Sequence, residues 1–317
     1  MTGLDIVALP GASTASLGIT LDVVAAARRL SGAAVFDARV LSTDTPQVRL
    51  RDGVSVEARS LAGARSRDIV VVLGLGAASP AEIEARIAAP DVALAATWLK
   101  RAWQRGAIVA SSCTGVFVLG YAGLLAQRRC TTTWWLLPAL KALEPSCEVT
   151  HDSMVTEHER VWTAGAAFAH IDLMLALAAR TGGVALAAEI AKHLVVEQRA
   201  SQARFVAPSF LAAQDPLASR VEAFVKQRLA REVSLGDMAD VVGVGTRTLG
   251  RRITAATGLS PMRFVQKIRL DAAIHLLQTT RMTVDTVARE VGFEDASALY
   301  RLVLRHTGKP PSAFRAR

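Results

Sequence analysis

Two stretches near the end of the chain decide how it is read. Ser234–Gly258 runs SLGDMADVVGVGTRTLGRRITAATG, and Thr283–Gly308 runs TVDTVAREVGFEDASALYRLVLRHTG. In each, an alanine (Ala239, Ala288) is followed four residues on by a glycine (Gly243, Gly292), and then by an amphipathic run with arginines. A small alanine lets two helices cross closely, and a glycine takes the backbone through a sharp turn. Apolar residues after it then seat a second helix on the first. The pattern predicts a helix-turn-helix, twice, each with a second helix free to enter a DNA major groove. A single copy reads equally well as an ordinary helical hairpin. The repeat, offset by about 49 residues, is what favours the DNA reading.

Between the copies lies PMRFVQKIRLDAAIHLLQ, Pro261–Gln278. Pro261 suits a first helical turn, and Phe264, Ile268, Leu270, Ala273, Ile274 and Leu277 recur at near-helical spacing. A helix of that length spans roughly 26 Å, a stiff spacer able to hold two reading heads about one DNA turn apart. Charge points the same way. The chain carries a net charge of +9, and residues 216–317 hold 17 Lys and Arg against 9 Asp and Glu. A basic terminal third beside a nearly balanced body predicts that one domain faces a polyanion and the other does not.

With these residues in view, the stretch from about Val221 to Arg317 resembles the AraC/XylS DNA-binding domain. TRTLGRRITAATGLSPMRFVQKIRL and VAREVGFEDASALYRLVLRHTGKPPSAFR carry the resemblance, the latter ending on GKPPSAFR like the family's closing signature. It implies that Arg247, Gly250 and Arg251 face bases from the first reading helix, and Ser297, Tyr300 and Arg301 from the second. Arg247 and Arg251 are four apart and share a face, and arginine can donate two hydrogen bonds to a guanine edge. Gly250 has no side chain to read with, so Thr246 or Thr248 takes that part instead. Arg252, Lys267, Arg305 and Lys309 are expected to meet phosphates, which position without reading sequence; a solvated charged face is the other reading of those four.

Residues 1–195 alternate strands and helices. LDIVALPG, AVFDARVLS, DIVVVLGLG and AIVASSC read as strands, with helical patterns between them and a late hairpin over Met154–Gly165. Such alternation predicts a flavodoxin-like, doubly wound, mostly parallel sheet with helices on both faces, ahead of an all-α C-terminal domain. The sharpest feature is SSCTG, Ser111–Gly115. A buried strand runs straight into Cys113 and a helix follows at once, with small residues on either side. That is the layout of a nucleophile elbow, where helix N–H groups lower a thiol pKa. A buried, inert cysteine at a tight turn is the alternative.

ALPGAS, IVASSCTGVFVLGYAGLLAQRRCTTTWW and VWTAGAAFAHIDLMLALAAR make this half resemble the PfpI-like branch of the class I glutamine-amidotransferase-like fold. Its pairing with an AraC-type end resembles the GlxA-type regulators. Cysteine hydrolysis needs a base within reach of the thiolate and an acid to orient it. The resemblance implies a histidine directly after the cysteine, where Thr114 stands. It implies a carboxylate where Ser16 stands, and often a histidine where Thr133 stands, beside Trp134. His151, His158 and His170 match no recognised base position. The domain therefore reads as a non-catalytic sensor or dimerisation module with Cys113 as a vestigial nucleophile. Its ligand pocket is expected over the strand ends, lined by Ser16, Leu75, Cys113, Thr114, Thr133 and Trp134. A cysteine-dependent amidase or glyoxalase-like enzyme with a DNA-targeting domain is the alternative.

VEQRASQARFVAPSFLAAQDP, residues 196–216, shifts in composition and reads as a linker between a first domain of residues 1–195 and a second of residues 217–317. Cys113, Cys130 and Cys147 lack metal-ligand spacing, and no metal or cofactor is expected. No apolar run is long enough for a membrane span, and MTGLDIVALPGAS is not a secretory signal, so the expected setting is cytoplasmic. Expected partners are double-stranded DNA, a small-molecule effector and a second copy of the chain.

Overall fold

The computed structural model describes residues 1–202, 205–207, 210, 212 and 215–315. It divides into two compact units, Met1–Ala203 and Arg204–Arg317.

The first unit opens with β1 (Thr2–Val7), α1 (Thr14–Ser31) and β2 (Phe36–Ser42), followed by three short strands, β3 (Gln47–Arg49), β4 (Ser55–Glu57) and β5 (Arg59–Ser60). Next come β6 (Ile69–Val72), α2 (Pro80–Ile87), α3 (Pro90–Gln104), β7 (Ile108–Ser112) and α4 (Val116–Tyr121). The unit ends with β8 (Arg129–Cys130), α5 (Leu137–Leu143), β9 (Glu148–Val149), β10 (Val155–His158), β11 (Val161–Ala164), α6 (His170–Gly182) and α7 (Val184–His193). Seven strands form the main sheet in the order β10-β11-β7-β6-β1-β2-β5. All neighbours run parallel except the β10–β11 hairpin.

The alternation along each strand builds the layers. Ile6 and Val71 point to the face covered by α1, α6 and α7, among Leu17, Val23, Leu173 and Leu177. Val7, Val70, Val72 and Val109 point to the other face, among Val92, Leu99, Phe117 and Leu119. Residues 69–72, all buried, are covered on both sides, which is why that strand reads as unbroken Ile and Val. α4 ends at Tyr121, and Gly123 turns the chain at φ 71°.

The linker expectation is corrected over its first part. Residues 196–202 lie on the α/β unit. Val196 packs against its core, Arg199 pairs with Asp172 at 2.6 Å, and Gln202 is buried. Arg199, Ser201 and Gln202 spend their side chains on hydrogen bonds within the unit, while Glu197 and Gln198 face solvent. Pro208, one flank of the expected linker, lies outside the described residues; Pro216, the other, opens the next helix.

In the second unit, α8 (Pro216–Lys226) precedes α9 (Leu235–Val242), α10 (Thr246–Thr257), α11 (Pro261–Thr279), α12 (Val284–Glu290) and α13 (Ala296–Thr307). Several starts are chemically marked. Asp215 accepts from the N–H groups of Leu217 and Ala218, and Asp295 from that of Ala298. Ser234 and Asp237 form a reciprocal capping box ahead of α9. Leu270, Ala273 and Leu277 of α11 share a core with Val287, Ala288, Leu299 and Val303.

Candidate functional site

The cysteine turn has the expected elbow geometry. Cys113 sits at φ 53°, a left-handed conformation that a residue with a side chain adopts only under constraint. Its neighbours impose it. The Cys113 N–H donates to Gly165 O at 2.7 Å, and its carbonyl accepts from Thr132 Oγ1 at 2.6 Å. Gly115 has no room for a side chain, because a Cβ there would lie 2.6 Å from Leu73 O. The strand β7 thus enters the turn on one side and a helical turn leaves it on the other.

Burial pushes the Cys113 pKa up, and the Thr114 and Ala167 N–H groups and the Thr114 hydroxyl offset only part of that. Thr114 Oγ1 also accepts the Leu75 N–H at 2.9 Å, which orients its O–H toward the thiol. Leu75 contributes that backbone group, while its side chain belongs to the core below.

Ser16 and Thr133, expected to line the same pocket, are fully buried, and neither hydroxyl has a hydrogen-bond partner among the described residues. Trp134 is half-buried with its ring edge-on to Trp135, centroids 5.1 Å apart, and Trp135 Nε1 donates to Ala78 O. Sequence reasoning missed three participants. His170 is fully buried with Nδ1 2.8 Å from Ser112 Oγ and Nε2 2.8 Å from Thr20 Oγ1. Burial holds its pKa down at about 4, so it is a neutral brace on the residue before Cys113. Ser112 was visible only as a small residue. Gln202, the third, reaches in from the supposed linker: its Nε2 donates to Thr131 Oγ1 and Thr132 O. Nothing in the local sequence ties position 202 to position 132.

The other two cysteines are structural. Cys130 and Cys147 lie thiol to thiol in the core, and the Cys147 hydrogen bond together with burial pushes Cys130 upward. Among the described residues, no group of three His, Cys, Asp or Glu is placed to hold a metal. A separate cleft of about 560 Å³ opens at the opposite, amino-terminal ends of the strands. Arg65, Arg67, Arg105, Arg160, Glu157 and Trp162 are among its lining residues, and none of the Cys113 group is.

In the second unit the turns behave as read. Gly243 and Gly292 take φ 70° and 77°, and Ala239 and Ala288 are buried at the crossings. On α10, Leu249 and Ile253 are buried while Thr246, Arg247, Thr248 and Arg251 are exposed. On α13, Leu299 and Val303 are buried while Ser297, Tyr300, Arg301 and Arg305 are exposed, as is Lys309 beyond its end.

Two of the residues expected to meet phosphates make ion pairs within the unit. Lys267 is buried on α11, with its Nζ 2.7 Å from Asp271, so its charge is used within the domain. Arg252 is bound to Asp215 at 2.7 Å and ties α10 to the cap of α8. Burial alone raises Asp215, but Arg252 and the cap N–H groups outweigh it and hold the carboxyl below its usual value.

With both sites described, comparison with known proteins adds the family. The DJ-1/PfpI family matches residues 18–180, and a helix-turn-helix domain matches residues 238–317. The chain belongs to the DJ-1/PfpI family. Its last quarter is an AraC-type helix-turn-helix domain, so it has the two-domain architecture of a DNA-binding transcriptional regulator. The HTH-type transcriptional regulator GbdR of Pseudomonas aeruginosa is 26% identical over 93% of this chain and 79% of its own length. The HTH-type transcriptional regulator GlxA of Rhizobium meliloti is 27% identical over 72% of this chain and 71% of its own. A crystal structure of an AraC family transcriptional regulator from Pseudomonas putida superposes with a TM-score of 0.53 at 24% identity, covering 61% of this chain and all of that one. That likeness concerns the fold. Among the described residues, no helix is long and apolar enough to cross a membrane.

Proposed function

We propose that this DJ-1/PfpI-family protein reads a specific DNA sequence through α10 and α13. Thr246, Arg247, Thr248 and Arg251 face bases on one helix, and Ser297, Tyr300 and Arg301 on the other. Arg305 and Lys309 grip phosphates. The carrying observation is that two helices, each seated by a buried apolar stripe, leave their arginine-bearing faces uncovered within one unit. The test is an anisotropy titration of promoter fragments against random DNA at fixed salt. Arg251→Ala is expected to relax preference at one base pair by about 1–3 kcal/mol, whereas Lys309→Ala weakens all sequences alike. Equal affinity for every fragment would refute the reading.

The α/β unit, in this proposal, binds a small effector beside Cys113 without turning it over, and pairs with a second copy. The burial that raises the thiol pKa, and Thr114 in the place of a base directly after Cys113, support binding over catalysis. Native mass spectrometry reports both the bound small molecule and the homodimer. The strained elbow favours one second reading, a thiol-dependent amidase or glyoxalase-like activity. Turnover of an amide or α-oxoaldehyde that disappears in Cys113→Ala would establish it instead.

A further inference from the structure

We infer that Gln202, supplied by the segment leading out of the α/β unit, is the acceptor with which the Cys113 pocket recognises its ligand. The ligand class is a small molecule that presents an N–H or O–H, and its binding tightens residues 196–202. This rests on the proposal that the pocket takes an effector.

Gln202 is 1% exposed. Its amide is oriented by its surroundings, because Nε2 faces Thr132 O at 2.8 Å and only a donor can face a carbonyl. Oε1 is therefore turned the other way, toward Gly165, where an added Cβ would lie 2.6 Å from it. Both flanks lead to the elbow in one step. Thr132 Oγ1 donates to Cys113 O, and Gly165 O receives the Cys113 N–H. Ala167, two residues on, gives its N–H to the thiol. Oε1 itself is buried and has no hydrogen-bond partner among the described residues. Native interiors rarely leave an acceptor in that state, and a ligand donor would complete it.

The same residue ends a strap. Arg199 N–H and Nη2 bond Asp172, Arg199 Nη2 also bonds Phe168 O, the Met154 N–H bonds Ala200 O, and Ser201 Oγ bonds His151 O. The chain passes from this strap into the DNA-binding unit. A ligand that satisfies Gln202 binds the strapped state better than the released one, so it shifts the population toward the strap.

The test uses the full chain and two probes that differ in one property. Iodoacetamide places an amide with N–H donors on Cys113, and iodoacetate places a carboxylate, an acceptor only. Cys130 and Cys147 are buried, and Cys113→Ser is the labelling control. Hydrogen exchange is read at the Arg199 and Met154 amides. The amide adduct is expected to slow exchange about fivefold and the carboxylate adduct to speed it, with both effects lost in Gln202→Leu. Equal effects from the two adducts, or none, would overturn the inference, and the wild-type comparison needs no variant to fold. DNA affinity separates this from the underlying proposal. If affinity tracks the adducts equally in Gln202→Leu, effector sensing stands and the role of Gln202 fails. If exchange responds as expected and affinity does not, Gln202 stands and the sensing reading fails.

Discussion

His170 shows how a buried residue makes stability depend on pH. Its ring is neutral between Ser112 and Thr20, and burial holds its pKa at about 4, below the usual 6.5. Between those values the unfolded chain binds the proton and the folded one does not. Its contribution is therefore fully present above pH 6.5 and is lost as pH falls toward 4, about 3 kcal/mol across the window. Urea unfolding at pH 7 and pH 4.5 should show that loss, and His170→Gln should flatten the slope between the two. Gly250 makes a second test at this scale. It lies inside α10, and a Cβ there would meet nothing within 4 Å. Gly250→Ala should therefore stabilise the domain by up to about 1 kcal/mol in thermal or urea melts. A fall in DNA affinity alongside that gain would mean that DNA backbone approaches the helix at this position.

At the scale of elements, the spacer helix α11 fixes the register of the two reading heads. Arg269 donates from Nη1 to Gly292 O and from Nη2 to Arg231 O, joining the turn of the second motif to the chain ahead of the first. Gly292 has φ 77°, and a Cβ there would press on Leu229 O and lie 2.9 Å from the Arg269 guanidinium carbon. Gly292→Ala should cost more than the usual 1 kcal/mol for a positive φ, and Gly243→Ala, with open space around it, should cost about that much. Chemical denaturation of the two variants side by side distinguishes close approach from conformation alone. Both glycines were legible in the sequence because spacing announces a turn, and so were β1, β6, β7 and the Cys113 elbow, whose residues are contiguous. The strap was not legible, because its meaning lies in Thr131, Thr132 and Asp172, far away along the chain. Nor were β3, β4, β8, β9 and α5, which are too short to show a period.

For the whole molecule, the excess of positive charge in the terminal third makes DNA affinity depend on salt, since each phosphate contact releases counterions. Counting charges in the sequence overstates that dependence. Lys267 spends its ammonium on Asp271 inside the domain, and Arg252 spends its guanidinium on Asp215. Arg305 and Lys309 lie exposed on the second motif. The slope of log affinity against log salt should therefore fall by about 1 in each of Arg305→Gln and Lys309→Gln. It should stay unchanged in Lys267→Met, which keeps the buried stem and removes only the charge. That variant leaves Asp271, a carboxyl that burial already raises, without the ammonium that offsets the effect. Its cost should thus appear in the unfolding midpoint and grow above the carboxylate range, where Asp271 must ionise unpaired. A salt slope that falls in Lys267→Met as it does in Lys309→Gln would mean that DNA draws Lys267 out of the core and breaks its pair with Asp271.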